Sequence, residues 1–246
     1  MLVESRFPDS EIQSRFDETG RTQLPGILSK PRMKKLVKAA NEVRDWMLVT
    51  HLGGRHVMLD AAQMAGIGGP KLAEFERHVF EQAAHGFQYL YRAYPLYGKW
   101  HAGTLAKESP GLAEIFEFLN TDEFLDPLRA LLNAPEIGFV DAQLTRYGKG
   151  HFLTEHDDSA DKGNRIAAYT LTLSEGWKAA WGGQLQFLDE TGAVTESLVP
   201  RFNTLSVFRV PQPHHVSCVS PFAPRDRISI TGWLRAGKDP GPDGVG

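Results

Sequence analysis

Phe152-Leu-Thr-Glu-His156-Asp157-Asp158 is met far downstream by Pro213-His214-His215-Val216, and then by Arg227-Ile228-Ser229-Ile-Thr-Gly-Trp233. The reading of these three stretches decides the fold. In chain order they supply an imidazole, a carboxylate, a distant second imidazole and a cation. Two histidines and one carboxylate are the ligand set of an iron site that leaves coordination positions open. Neighbouring side chains of an extended strand point to opposite faces, and residues two apart share a face. His156 and Asp158 are therefore expected to reach one metal, with Asp157 directed away. The third ligand has to come from another strand, because three ligands on one extended run would fan out along a line. Imidazole and carboxylate suit divalent iron without excluding zinc. A bare His-x-Asp is weak by itself: the chain has nine histidines and thirty acidic residues, so chance matches are expected.

The downstream half adds weight. Leu205-Ser-Val-Phe-Arg-Val210 reads as a strand, Pro-Gln-Pro as a turn, and His214 to Val219 as another strand. A Pro-broken turn from Ser220 to Asp226 leads into the Arg227 stretch. There Arg227, Ser229 and Thr231 alternate with Ile228 and Ile230, so one face of the strand is polar. If that face looks into a barrel, Arg227 is a buried cation that must be paired. A ligand carboxylate held bidentately would pair it, and so would a protein acid at the rim.

From about Asp141 to Ala236 the chain resembles the catalytic core of the iron- and 2-oxoglutarate-dependent dioxygenases, in their prolyl-hydroxylase-like branch. The stretches that carry the likeness are Leu144-Thr-Arg-Tyr-Gly148, Phe152 to Asp158, Arg165, Trp177, Gly182-Gly183-Gln-Leu185, Asn203-Thr-Leu, His214-x-Val216 and Arg227-x-Ser229-Ile-x-Gly-Trp233. The His-Asp-Asp form with this ending is similar to hydroxylases that modify a prolyl residue of a ribosomal protein. Those relatives often carry a second, degenerate β-helix domain, for which this chain is too short, so their substrate transfers less readily.

The resemblance implies a double-stranded β-helix (jelly roll) buttressed by N-terminal helices, a mainly β fold of α+β type. It implies that His156, Asp158 and His214 hold Fe(II), and that Arg227 pairs with the distal carboxylate of 2-oxoglutarate. Tyr147 falls where relatives place a tyrosine that contacts this cosubstrate, and Ser229 shares the face of Arg227. One departure stands out: relatives often carry a tyrosine where this chain has Thr172, and Tyr169, three residues earlier, belongs to the other face. The turn between His214 and Arg227 is also slightly longer than close family patterns. His-x-Val selects His214 over His215 as the ligand, since adjacent strand residues diverge. The implied cofactors are Fe(II), 2-oxoglutarate and O2, with ascorbate as accessory reductant, and the implied products are succinate, CO2 and a hydroxylated C–H bond. The implied substrate is a prolyl residue in a protein or peptide. A free amino acid or small metabolite is the alternative, and a non-catalytic metal-binding jelly roll a further one.

Composition agrees. The chain has 246 residues and is 41% hydrophobic, enough for a sizeable core in one domain. A net charge of −3 with interspersed signs gives no footprint for nucleic acid. The single cysteine, Cys218, rules out an intrachain disulfide, suits a reducing compartment and is expected to pack. The polar start Met1 to Asp9 and the lack of a long apolar run predict a cytoplasmic protein without membrane partners. The oligomeric state is not set by the sequence.

The expected layout is one domain over residues 1–236, helical support over 1–135 and jelly roll over 136–236, followed by a disordered tail over 237–246. Ser29 is expected to cap a helix running to about Val49. Leu72, Phe75, Val79, Ala83, Phe87 and Leu90 predict a helix over 71–92 with a core-facing aromatic stripe. Shorter helices are expected near 111–119 and 122–133. Residues 51–70 fit no single pattern, and their glycine cluster Gly66 to Pro70 follows no strand, against a phosphate loop. The remaining histidines show no metal spacing, although His151 is close enough to line the entrance of the site.

Overall fold

Period-two patterning downstream of Gly138 yields strands, and 3.6-residue patterning between residues 110 and 132 yields helices. The structure, a computed structural model, describes residues 9–159 and 164–241. Its first half contains α1 (Ser10–Thr19), β1 (Arg21–Pro25), α2 (Lys30–Glu42), β2 (Met47–Leu52), β3 (Arg55–Leu59), α3 (Ala61–Ile67), α4 (Gly69–Ala83), β4 (Tyr89–Tyr94), α5 (Leu96–His101), α6 (Leu105–Glu108), α7 (Pro110–Leu119) and α8 (Asp122–Leu132). The second half contains β5 (Ile137–Val140), β6 (Gln143–Tyr147), β7 (Phe152–His156), β8 (Arg165–Thr172), β9 (Leu185–Leu188), β10 (Val194–Leu198), β11 (Thr204–Arg209), β12 (His214–Val216) and β13 (Arg227–Ala236).

The strands follow one antiparallel path, β1-β11-β8-β13-β6-β4-β7-β12-β9-β10, with β2 beside β4, β3 beside β2, and β5 beside β13. This nearly closed double layer is the expected jelly roll, with helices on one face. The pleat of β13 sorts the residues as the alternation predicts. Ile230 and Leu234 join Leu144, Ala167, Tyr169 and Leu171 in a core completed by Leu112, Ile115, Phe116, Phe124 and Leu128 of α7 and α8. Truncating one of these buried leucines to alanine costs about 2–5 kcal/mol. Arg227, Ser229 and Thr231 take the opposite face, into the barrel. Gly232 is required by close approach: a Cβ there would run into the backbone carbonyl of Asp141. No helix among the described residues is long and apolar enough to cross a membrane.

Two helices end earlier than their patterns predict. Ser29 does precede α2 but makes no side-chain cap bond, and the helix stops at Glu42 rather than near Val49. Met47-Leu-Val-Thr-His-Leu52 is instead a strand, paired with β3 and β4. Likewise α4 stops at Ala83, and Tyr89 to Tyr94 form β4, which pairs with β6 and β7. Of the expected stripe only Val79 is fully buried within α4, while Phe87, beyond its end, is exposed. Residues 51–70 resolve into the end of β2, a Gly53-Gly54 turn, β3, and α3 capped by a reciprocal Asp60–Gln63 box. Of the expected tail, Gly237 donates to the carbonyl of Glu136, and Asp239 accepts from Tyr97 and, at 3.0 Å, from His101. Residues 242–246 of that tail lie outside the described residues.

Candidate active site

His156 ends β7, and His214 opens β12 as its direct antiparallel partner, with ring centroids 4.1 Å apart. Each ring is turned by its own backbone. Nδ1 of His156 lies 2.9 Å from the carbonyl of Thr154, and Nδ1 of His214 lies 2.7 Å from that of Gln212. A carbonyl only accepts, so both Nδ1 atoms carry the proton and both Nε2 atoms are left bare, the tautomer a metal ligand needs. Asp158 stands between them, Oδ1 3.5 Å from Nε2 of His156 and Oδ2 3.5 Å from Nε2 of His214. The three groups offer ligand atoms within 4.8 Å of one another.

The carboxylate arrives by a different route from simple strand alternation. β7 ends at His156, and Asp158 adopts a left-handed backbone, φ 60°. This is a costly conformation that turns its side chain back over the sheet. Asp157 points away, accepting from the backbone N–H of Ser159 at 2.8 Å. His215 lies on the other face of β12, its Nε2 2.6 Å from Oε1 of Gln186. Burial, reinforced by neighbouring His156, holds the His214 imidazole down to about 4, so it is neutral at physiological pH.

A cavity of about 570 Å3 joins this triad to Arg227. Arg227 is 3% exposed, and among the described residues it forms no ion pair; its Nε has no hydrogen-bond partner. Its guanidinium carbon lies 5.3 Å from the ring centre of Tyr147, its cross-strand partner. Burial lowers its affinity for the proton, offset only in part by the Tyr147 phenol and by no carboxylate among the described residues. Ser229 and Thr172 face each other across β13 and β8, both buried, and the Ser229 hydroxyl is unpartnered. Neither lines the cavity, whereas Tyr147 does.

Several cavity residues carry no role in the sequence reading. Arg165 stacks 3.9 Å over Trp233, and its Nη1 donates to the carbonyl of Asp158 at 3.4 Å. Nε of Arg165 and Nε1 of Trp233 are buried without partners, although both line the cavity. Next to them Arg235 and Asp141 form a buried pair at 2.6 Å. On the other side Phe87, Tyr89, Tyr91 and His56 form an aromatic wall, with Nδ1 of His56 2.7 Å from the Tyr89 hydroxyl. Burial-free sequence signals mark Arg165 and Trp233 only through their motif neighbours, and the wall is hidden inside an expected helix. Cys218 is exposed rather than packed.

His151 does not line the cavity; burial holds its imidazole down to about 4. An unfolded histidine titrates near 6.5, so between these values the unfolded chain binds a proton that the native state refuses. Stability is present above about pH 6.5 and is lost as pH falls toward 4, by up to about 3 kcal/mol for this group. Urea unfolding of the chain in chelator, repeated across this window, should show the loss, and His151→Gln should make it less steep, leaving the part that His214 contributes. An equally steep profile in His151→Gln would exclude His151 as its source.

Residues 142–235 match the family described as the 2OG-Fe(II) oxygenase superfamily. Over 120 residues the chain is 32% identical to prolyl 3-hydroxylase OGFOD1 of Xenopus laevis, a match covering 46% of this chain and 23% of that protein. The chain thus spans under a quarter of that relative's length. Among solved structures it resembles a Trichoplax adhaerens prolyl hydroxylase in complex with a hypoxia inducible factor peptide fragment (TM-score 0.59, 14% identity, 92% of this chain and 87% of that one). It also resembles HygX of Streptomyces hygroscopicus with nickel and 2-oxoglutarate bound (TM-score 0.52, 12% identity, 91% and 85%). Over residues 142–235 the jelly roll is similar to the 2OG-Fe(II) oxygenase superfamily. Two of the relatives it resembles, the Xenopus and Trichoplax proteins, are prolyl hydroxylases.

Proposed function

We propose that this protein is an Fe(II)- and 2-oxoglutarate-dependent dioxygenase that hydroxylates an unactivated C–H bond of a prolyl residue in a protein or peptide. The observation that carries the reading is a buried, unpaired Arg227 in the same cavity as two bare imidazole nitrogens and a carboxylate. A buried cation without a counter-charge is costly. A dicarboxylate bound in this cavity would neutralise it with charge-assisted hydrogen bonds. His156, Asp158 and His214 would hold the metal, and Arg227, with Tyr147, would hold the distal carboxylate; Ser229 and Thr172, paired across β13 and β8, do not line the cavity.

When bound, the iron and cosubstrate supply the oxidising chemistry: O2 and 2-oxoglutarate are converted to succinate and CO2 as one oxygen atom enters the substrate C–H bond. The chain's own residues do the rest. The backbone carbonyls of Thr154 and Gln212 fix both ligand tautomers, and Arg165 steadies the Asp158 backbone. The unpartnered donors of Arg165 and Trp233, opposite the aromatic wall, offer a prolyl ring a flat apolar face and its carbonyls hydrogen-bond donors. The lone cysteine supports a reducing, cytoplasmic setting.

Incubation of the full chain with Fe(II), 2-oxoglutarate, ascorbate and O2, against a pool of cell-lysate peptides, tests this. The expected result is substrate-dependent succinate and peptides carrying one added oxygen on proline. Oxygen added only to free amino acids or metabolites would overturn the peptide assignment, and absence of any turnover would overturn the enzyme.

A further inference from the structure

Thr172 stands where the family pattern puts a tyrosine, and it lies beside Ser229, off the cavity wall. Another strand puts a phenol into the cavity instead. Tyr91 of β4 is buried in the cavity wall, and its ring stacks on Tyr147 with centroids 5.1 Å apart and planes 13° from parallel. Tyr147 lies opposite Arg227 on β13, with the Arg227 guanidinium 5.3 Å from its ring. The β4–β6 register, Arg92 opposite Arg146 and Ala93 opposite Thr145, extends this row. One cation and two phenols therefore stand side by side across β13, β6 and β4, on the face that looks into the barrel.

The chemistry of Tyr91 suits a donor. Its phenol carries one proton to donate, and Gln143 is the polar side chain that acts on it. Burial is the main cause, and the nearby Asp158 charge a lesser one, that pushes its pKa up to about 12. Burial, with neighbouring Tyr91 next and Asp158 least, likewise raises that of Tyr147. Both phenols remain protonated at neutral pH, in the cavity that holds the Arg227 cation and the metal-ligand triad.

We propose that Tyr91 is a binding residue for the oxoacid cosubstrate, its hydroxyl supplying from β4 the hydrogen bond that the family pattern places at position 172. This rests on the reading under Proposed function. The test is calorimetric titration of 2-oxoglutarate into the Mn(II)-loaded full chain under argon. Tyr91→Phe keeps the ring and its stacking but loses the donor; it should weaken 2-oxoglutarate binding about 10-fold or more, with Mn(II) affinity and melting temperature held. Thr172→Ala should change that affinity by less than about twofold. A wild-type affinity in Tyr91→Phe, or an equal loss in Thr172→Ala, overturns the assignment while leaving the cosubstrate reading intact. Failure of the wild-type chain to take up 2-oxoglutarate overturns both.

Discussion

Asp158→Ala is expected to weaken Fe(II) binding by more than about 100-fold and to abolish succinate formation. The carboxylate alone faces both imidazoles, 3.5 Å from each Nε2. Without it, two neutral nitrogens are left to hold a dication with no anionic ligand. Loss of a mere outer partner of a metal ligand costs roughly 10–100-fold in affinity, so loss of the ligand itself must exceed that. Alanine at φ 60° adds about 1–2 kcal/mol of backbone strain, which Asp158→Asn avoids, because asparagine tolerates the left-handed region. Equal metal loss in both variants assigns the effect to charge rather than strain. His215→Ala is the control: its imidazole is engaged by Gln186 on the other face of β12, so Fe(II) affinity should stay within about threefold of wild type. Equilibrium dialysis under argon measures all three. Metal lost in His215→Ala but retained in His214→Ala would mean the wrong imidazole has been named.

The strand half was legible because its pattern and its neighbours agree. Arg227, Ser229 and Thr231 face the barrel and Ile230 the helices, as their alternation requires. The aromatic wall was illegible for a physical reason. Leu72 to Leu90 keeps helical spacing throughout, yet residues 89–94 are claimed as a strand by β6 and β7, whose partners lie more distantly in the chain. Tertiary pairing overrides local periodicity there, and it is what carries Tyr89 and Tyr91 into the cavity. Asp158 shows a subtler case: alternation named the right residue, but a left-handed turn does the work that an extended strand was expected to do. Arg165 and Trp233 sit on different strands, and only their contact at 3.9 Å reveals a joint surface.

Arg227→Ala should separate what the fold needs from what the ligand needs. In the native state this guanidinium is buried, with no acid beside it among the described residues, so it burdens the unliganded protein with desolvation cost. Removing it should leave the thermal stability of the unliganded chain at or above that of wild type, offset only by the void the side chain leaves. The same substitution should raise the 2-oxoglutarate dissociation constant roughly 30- to 1000-fold, the equivalent of about 2–4 kcal/mol for one partner of a buried charge-assisted pair. Arg227→Lys keeps the charge but not the planar fork, and should fall between the two. Because a ligand that binds only the native state raises its melting temperature, the readout is direct: 2-oxoglutarate with Mn(II) should stabilise the wild-type chain and leave Arg227→Ala unmoved at the same concentration. A wild-type affinity in Arg227→Ala would take Arg227 out of the cosubstrate pocket. A sharply destabilised unliganded variant would show instead that the guanidinium serves the fold, and that its lack of a counter-charge was no sign of a missing dicarboxylate.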